Sequence, residues 1–372
     1  VKITHLISSL DAGYGGPVVA LEGLCRGLQQ AADISLEVVS SGAVYGGESV
    51  AGRLAEIDIN VSESPLDFQS QVQVVQASDL VHVHGVWDPA FHDVITLCRR
   101  TNTPYIVRPC GMLDPWSLKQ KRFKKWIYRT IRLNAHLRDA AAIHFTTQAE
   151  FELANSFCRP GQAIIEPNGV FLDDFTTAPS DELRQGWGIP KDATLALFLG
   201  RIHPKKGIEF LIRAFQRRPE LNLHLVVAGN GEAEYVRKVA SMAADDPRIH
   251  FVGMLEGKIK KQSLATADFF VLTSYQENFG NAVVEALASG TPVLISPGVN
   301  LVDVVQQRQI GEVVELNEEA IASTLVRWVN SPEMVADYAV RCRTTAGELF
   351  DWAAIGKRWV DHYEKLISTP LS

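Results

Sequence analysis

Two glutamates eight positions apart, Glu277 and Glu285, mark the stretch SYQENFGNAVVEALASGTPVL. Glu277 follows the apolar run ADFFVLTS, where a strand should end, and Glu285 is the only polar residue of AVVEALA. A carboxylate in so apolar a helix needs a partner, and hydroxyl groups of a ligand would serve. A second set lies in LFLGRIHPKKGIEFLIRAF, where Gly200 closes a strand, Arg201 follows at once, and Lys205 and Lys206 precede Gly207. A planar guanidinium beside a compact ammonium suits the oxygens of a diphosphate. The plain alternative is a solvated basic loop.

Other strand ends carry smaller signals. Gly229 and Asn230 follow LHLVVA, and Met254 and Leu255 follow IHFVG. As a set these loops would line a nucleotide pocket, with the backbone near Met254 and Leu255 reading a base edge. The turn DAGYGGPVVALEGL places Gly13, Gly15 and Gly16 before a helix, with Pro17 at its first positions, so backbone amides can approach an anionic group. The spacing is not G-x-G-x-x-G, and the second strand ends VVSSG without an acid for a ribose, so a nicotinamide fingerprint is absent. In DLVHVHGVWDPAF, His82 and His84 share one strand face. No third ligand of useful spacing lies nearby, so no metal site is expected. His82 reads as a packed structural histidine; His84, at the strand end, reads either that way or as a substrate contact.

These groups need a scaffold, and the pattern of apolar runs supplies one. ITHLIS, LEVVS, DLVHVHG, PYIVRP and AAIHFTT occupy the first half; LALFLG, LHLVVAG, IHFVG, FFVLTS and TPVLIS occupy the second. Continuous apolar runs suit strands covered on both faces, and alternation with helices gives doubly wound parallel sheets. The expected architecture is α/β, with two Rossmann-like domains facing across a cleft and every candidate site at a strand's carboxyl end. The first domain is expected over residues 1–170 and the second over 171–351, with EPNGVFLDDFTTAPSDELRQGWGIPKDA as a linker and a final amphipathic helix over 352–372 returning to the first. The 372 residues are 46% hydrophobic and carry a net charge of −7, which argues against a nucleic-acid partner. The cysteines, Cys25, Cys98, Cys110, Cys158 and Cys342, lack CxxC spacing and read as reduced thiols of a cytoplasmic protein. VKITHLISSL reads as a first strand.

One segment stands out by charge. Residues 117–138 hold eight Lys or Arg and no acid. A single helix over 119–137 would gather Phe123, Trp126, Ile127, Ile131, Leu133 and Leu137 on one face. Lys121, Arg122, Lys124, Lys125, Arg129 and Arg132 would lie opposite. A basic amphipathic helix with aromatics suits an anionic membrane surface; packing of its apolar face on the protein is the alternative.

Together these residues resemble the family 4 glycosyltransferases of the GT-B fold, over nearly the whole chain. GRIHPKKG and ENFGNAVVEALASGTPVL, the latter matching that family's Glu-x7-Glu pattern, are the most specific parts. PNGV is similar to the family's crossover into its second domain; HVHGVW and PYIVRPCGMLDPWSLKQK are similar to a bacterial exopolysaccharide or surface-polysaccharide branch. The resemblance implies transfer of a hexose from a nucleotide sugar, with retention and without a metal or other cofactor. UDP-glucose is the expected donor on family frequency, and an oligosaccharide or lipid-linked molecule is the expected acceptor. It implies that Arg201 and Lys206 hold the diphosphate. Glu277 and the backbone of Asn278, Phe279 and Gly280 would contact the sugar, and Glu285 would accept from the ribose. Gly15 and Gly16 would approach the sugar-phosphate from the first domain. Cys110 departs from the pattern, since many relatives carry His or Arg there; Arg108, His84 or neither compensates. Peripheral attachment to the inner face of the plasma membrane would run through residues 117–138. Two other readings stay open: a two-domain nucleotide-sugar epimerase and a non-catalytic scaffold relative.

Overall fold

Every one of the ten apolar runs becomes a strand in the computed structural model, which describes residues 1–63, 67–120 and 122–369. The strands β1 (Lys2–Ile7), β2 (Ser35–Ser40), β3 (Asn60–Ser62), β4 (Leu80–His84), β5 (Tyr105–Arg108), β6 (Ala142–Phe145) and β7 (Ala163–Ile165) form one sheet. Its order is β3-β2-β1-β4-β5-β6-β7. A second sheet holds β8 (Thr194–Leu199), β9 (Leu223–Ala228), β10 (Ile249–Gly253), β11 (Phe269–Leu272), β12 (Val293–Ile295) and β13 (Gly311–Val313), ordered β10-β9-β8-β11-β12-β13. All ladder pairings within both sheets are parallel. Three strands, β3, β7 and β13, have no counterpart among the apolar runs. Each is an edge strand of three residues.

In both sheets the chain lays three strands outward and then returns beside the first. The order reverses between β1 and β4, and again between β8 and β11. Loops leaving the two strands at such a switch point splay apart and leave room for a ligand.

The chain divides into two compact units: Val1–Gly169 with Trp352–Ser372, and Val170–Asp351. The segment expected as a linker is largely built into the second unit. Its helix Asp181–Gly186 is tied down by Arg184, which reaches Asp268 at 2.8 Å, and Ser180 N donates to Thr266 Oγ1 at 2.9 Å. The helix Trp352–Ser368 lies along Gly16–Ala31 in the first unit, with backbones nearly touching. A Cβ at Gly356 would fall 2.3 Å from the Gly27 oxygen.

The basic segment is not one helix. It runs as Pro115–Lys119, Arg122–Tyr128, a π-helical turn over Arg129–Leu133, and Asn134–Asp139. Gln120 is extended (ψ 129°), which breaks the first turn from the rest. A π turn adds a residue to the cycle and rotates the helix beyond it. Leu133 and Leu137 therefore point into the core, while Phe123 (72% exposed), Trp126 (54%) and Ile131 (70%) face outward. Lys121 lies outside the described residues. Among the described residues no helix is long and apolar enough to cross a membrane.

Candidate functional site

In the second unit the strand-end loops are braced on one another by backbone. Ile202 N donates to Asn230 O at 2.7 Å, and Gly229 N donates to Gly253 O at 2.7 Å. A Cβ at Gly229 would sit 1.9 Å from Gly200 O, so only glycine allows this approach. Gly229 and Asn230 thus shape the floor through their main chain. Gly207 is left-handed (φ 61°) and abuts the Thr273 carbonyl, while Tyr275 N donates to Lys205 O at 2.8 Å. These contacts dock the loop after β8 on the loop after β11.

The docking brings two predicted residues together: Lys206 Nζ meets the Glu277 carboxylate as a partly buried ion pair. The Glu277 backbone is fixed by Gly298 O at 2.7 Å and Asn300 N at 3.1 Å. Arg201 stands exposed on the same loop. Its charge is felt by His203, whose imidazole is held below its ordinary range by burial first and then by Arg201, Lys205 and Lys206.

The helix Asn281–Ala288 starts at left-handed Gly280 (φ 86°). The Phe279 ring is buried edge-on against Phe350, 5.8 Å between centroids, so only its backbone is left for a ligand. Asn278 lies half-buried beside it. Met254 is exposed beyond β10, and Leu255 packs on the apolar core. Glu285 is buried and does have a partner of its own: Lys260 Nζ, 2.7 Å away on helix Gly257–Thr266. The expectation that a ligand alone supplies that partner is corrected here. Lys260 lies 25 positions upstream, and nothing in its run, EGKIKKQSLATADFF, tells it from Lys258 or Lys261.

The first unit collects its polar groups differently. Gly15 (φ 85°) ends the turn Ala12–Tyr14 and leads into Gly16 at the helix start. Asp11 pins this turn to the next loop by accepting from Tyr45 N at 2.8 Å and Gly46 N at 3.0 Å. His84 is not displayed at the strand end. It is fully buried and paired with His5, Nε2 to Nδ1 at 3.0 Å.

Hydrogen bonding assigns the neighbouring tautomers. His144 Nε2 must donate to Glu166 O (2.9 Å), so its Nδ1 accepts from His82 Nε2 (3.4 Å). His82 Nδ1 in turn accepts from the Tyr363 hydroxyl at 2.9 Å. Burial holds all these imidazoles below their ordinary range: His5 falls to about 3, and His82, His84 and His144 are also well below it.

His5 is the third histidine that sequence spacing did not offer; ligand atoms of His5, His82 and His84 lie within 4.8 Å of one another. Their surroundings fit a cation poorly. Both His82 nitrogens are engaged, and Arg108, 2% exposed and bonded through Nη2 to Asn168 Oδ1, places a positive charge beside them. Cys110 takes a left-handed conformation (φ 53°), and burial pushes its thiol up to about 11. Its turn is held by Glu150, another residue missed by sequence, which accepts from Gly111 N at 2.7 Å.

Residues 179–344 match the family model described as glycosyl transferases group 1. The matched residues lie within the second unit. A D-inositol 3-phosphate glycosyltransferase of Catenulispora acidiphila is 30% identical over 236 residues, 60% of this chain and 55% of that one. A phosphatidyl-myo-inositol mannosyltransferase of Mycobacterium leprae is 28% identical over 212 residues, 56% and 54% of the two chains. The chain thus spans about half the length of the curated relatives it matches. Among solved structures, Anabaena HepE in complex with UDP and glucose superposes with a TM-score of 0.82 at 18% identity, covering 98% of this chain and 99% of that one. WaaG, a glycosyltransferase involved in lipopolysaccharide biosynthesis, gives 0.71 at 16% identity, with 98% and 99% covered. The architecture is that of the GT-B glycosyltransferases: two Rossmann-like units, each with a parallel sheet.

Proposed function

We propose that the chain is a retaining, metal-independent hexosyltransferase that moves glucose from UDP-glucose to a saccharide acceptor on a membrane lipid. The observation that carries this reading is the meeting of Lys206 and Glu277 at the switch point of the second unit, with Arg201 on the same loop. A cation and an acid held side by side divide a nucleotide sugar between them. Lys206 and Arg201 take the diphosphate, and Glu277 takes the sugar hydroxyls. Glu285, on the helix Asn281–Ala288 that follows Glu277, receives the ribose.

As the bond from the anomeric carbon to the diphosphate oxygen breaks, negative charge builds on the leaving group. Arg201 and Lys206 oppose it from fixed positions, and such preorganised charge is commonly worth about 3 kcal/mol per group. The acceptor oxygen bonds to the anomeric carbon from the same face, and its proton passes to the departing phosphate. The choice of UDP-glucose is supported by a structural neighbour solved with UDP-glucose, at TM-score 0.81. Curated relatives named for inositol phosphate and mannosyl transfer mark the other substrates to test. The exposed aromatics and cations of residues 117–138 support peripheral attachment at the cytoplasmic face of a membrane, in surface-polysaccharide assembly.

The test is nucleotide release from a panel of UDP-, GDP- and ADP-sugars, with and without EDTA, and NMR of the product's anomeric configuration. Acceptor-dependent UDP release with retained configuration is expected. Isomerised sugar formed without an acceptor would make the protein an epimerase, and no turnover of any donor would make it a scaffold.

A further inference from the structure

The basic segment borders an open groove of about 700 Å³ lined by Leu118, Lys119, Phe123, Lys125, Trp126 and Arg129. That volume is in the range of small-molecule sites. Its walls are aromatic: the Phe123 and Trp126 rings stack with centroids 6.3 Å apart and planes 25° apart. The charged residues of its lining, Lys119, Lys125 and Arg129, are all cationic, and residues 115–138 contain no acid. An adjoining hollow shares Arg129 and adds Arg138 and Arg159. Exposed aromatics of this size on an acidic protein are surface that a partner is expected to cover.

We infer that this groove is a discrete binding site for a single lipid phosphate, with the phosphate between Lys119 and Arg129 and the first part of its chain between Phe123 and Trp126. Charge complementarity selects the occupant. An apolar peptide would leave the positive charges of Lys119 and Arg129 unneutralised, and a free phosphate would leave the aromatic walls wet. A long-chain phosphate satisfies both ends at once.

The position of the groove gives it a use. Lys125 Nζ donates to Ser117 O at 2.6 Å and lies 4.9 Å over the Trp87 ring, which also meets Tyr128 at 5.9 Å. Trp87 belongs to the loop leaving β4 at the switch point of the first unit. A lipid phosphate seated in the groove would carry its attached saccharide to that edge of the sheet. The inference therefore rests on the reading of the chain as a transferase with a lipid-borne acceptor, and names the part of the acceptor that this unit holds.

The experiment is titration of the full chain with dodecyl phosphate below its micelle concentration, read by calorimetry, alongside inorganic phosphate and dodecyl maltoside. Saturable one-to-one binding is expected for dodecyl phosphate, with the other two at least tenfold weaker. Arg129→Glu and Trp126→Ala should each weaken it at least tenfold while UDP binding is unchanged. Equal binding of dodecyl maltoside would reduce the groove to an apolar patch, and equal binding of inorganic phosphate would reduce it to a charge patch; either overturns the site. Concentration-dependent dimerisation abolished by Trp126→Ala would assign the face to a second copy and overturn it too. Wild-type protein that binds UDP but not dodecyl phosphate loses the groove alone. Protein that binds dodecyl phosphate but not UDP keeps the groove and loses the transferase reading.

Discussion

In the second unit the strands at the switch point, β8 and β11, bury Leu195, Leu197, Phe198, Phe269, Phe270 and Val271. Their counterparts in the first unit, β1 and β4, bury His5, His82 and His84, with Arg108 and His144 on the next strands. The two units share a strand order and differ in what fills it. In the second, the switch-point strands are apolar inside and the candidate site's polar groups sit on loops beyond the sheet. In the first, a hydrogen-bonded network passes through the interior, from Tyr363 through His82 and His144 to Glu166 O. One unit can change its site without touching its core; the other has made its core titratable.

The sharpest way to break this contrast is Lys206→Ala. If the site is separable from the fold, turnover should fall about 10²–10³-fold, the loss typical for one preorganised charge, while the thermal midpoint barely moves. A midpoint that collapses with turnover would make the Lys206–Glu277 pair structural. Glu285→Ala comes next. Affinity for UDP and for UDP-sugar should fall together by roughly 1.5–3 kcal/mol, as for hydrogen bonds to a charged group. Glu277→Ala should leave UDP affinity nearly constant and lower turnover and sugar selectivity instead. Titrating both variants with UDP and donor decides whether the two acids hold different parts of the ligand.

The first unit should betray itself by acid. Its buried imidazoles have folded-state pKa values below the unfolded value of about 6.5. Below that pH the unfolded chain takes up protons that the folded chain refuses, so stability present above it is lost as pH falls. For His5, lowered to about 3, the loss at pH 5 is about 2 kcal/mol. Hydrogen exchange corrected for intrinsic rates should show β1 and β4 losing protection between pH 7 and 5 well before β8 and β11. Equal loss in both sheets would erase the distinction. The smallest expected effect is that of EDTA, which should leave turnover unchanged because the proposed partners of the diphosphate, Arg201 and Lys206, are cations of the chain itself.

Much of this was legible in the chain, and the exceptions have physical causes. Strands covered on both faces write themselves as apolar runs, so all but the three-residue edges could be read. Arg201, Lys206 and Glu277 were readable because each closely follows such a run. Lys260 and His5 were not, because their meaning lies in a partner: Glu285 for one, and for the other His84, 79 positions away. Glu150 looks like an ordinary helix-start acid until its bond to Gly111 N is seen. The basic segment misled for a different reason. A helical wheel assumes an unbroken cycle, and the break at Gln120 with the π turn at Arg129–Leu133 rotates its two ends apart.

The helix Trp352–Ser368 has a consequence for how the protein is made. Tyr363, which donates to His82, lies 281 positions after it, and the whole second unit is synthesised in between. The second unit is contiguous, and all of its residues are joined before that helix is made. The first must wait, its histidine-bearing face bare, until that late helix emerges and covers it. Domains are generally completed in the order they leave the ribosome, and exposed sheet faces are where misassembly begins. In this chain the half that is translated first is the half that finishes last.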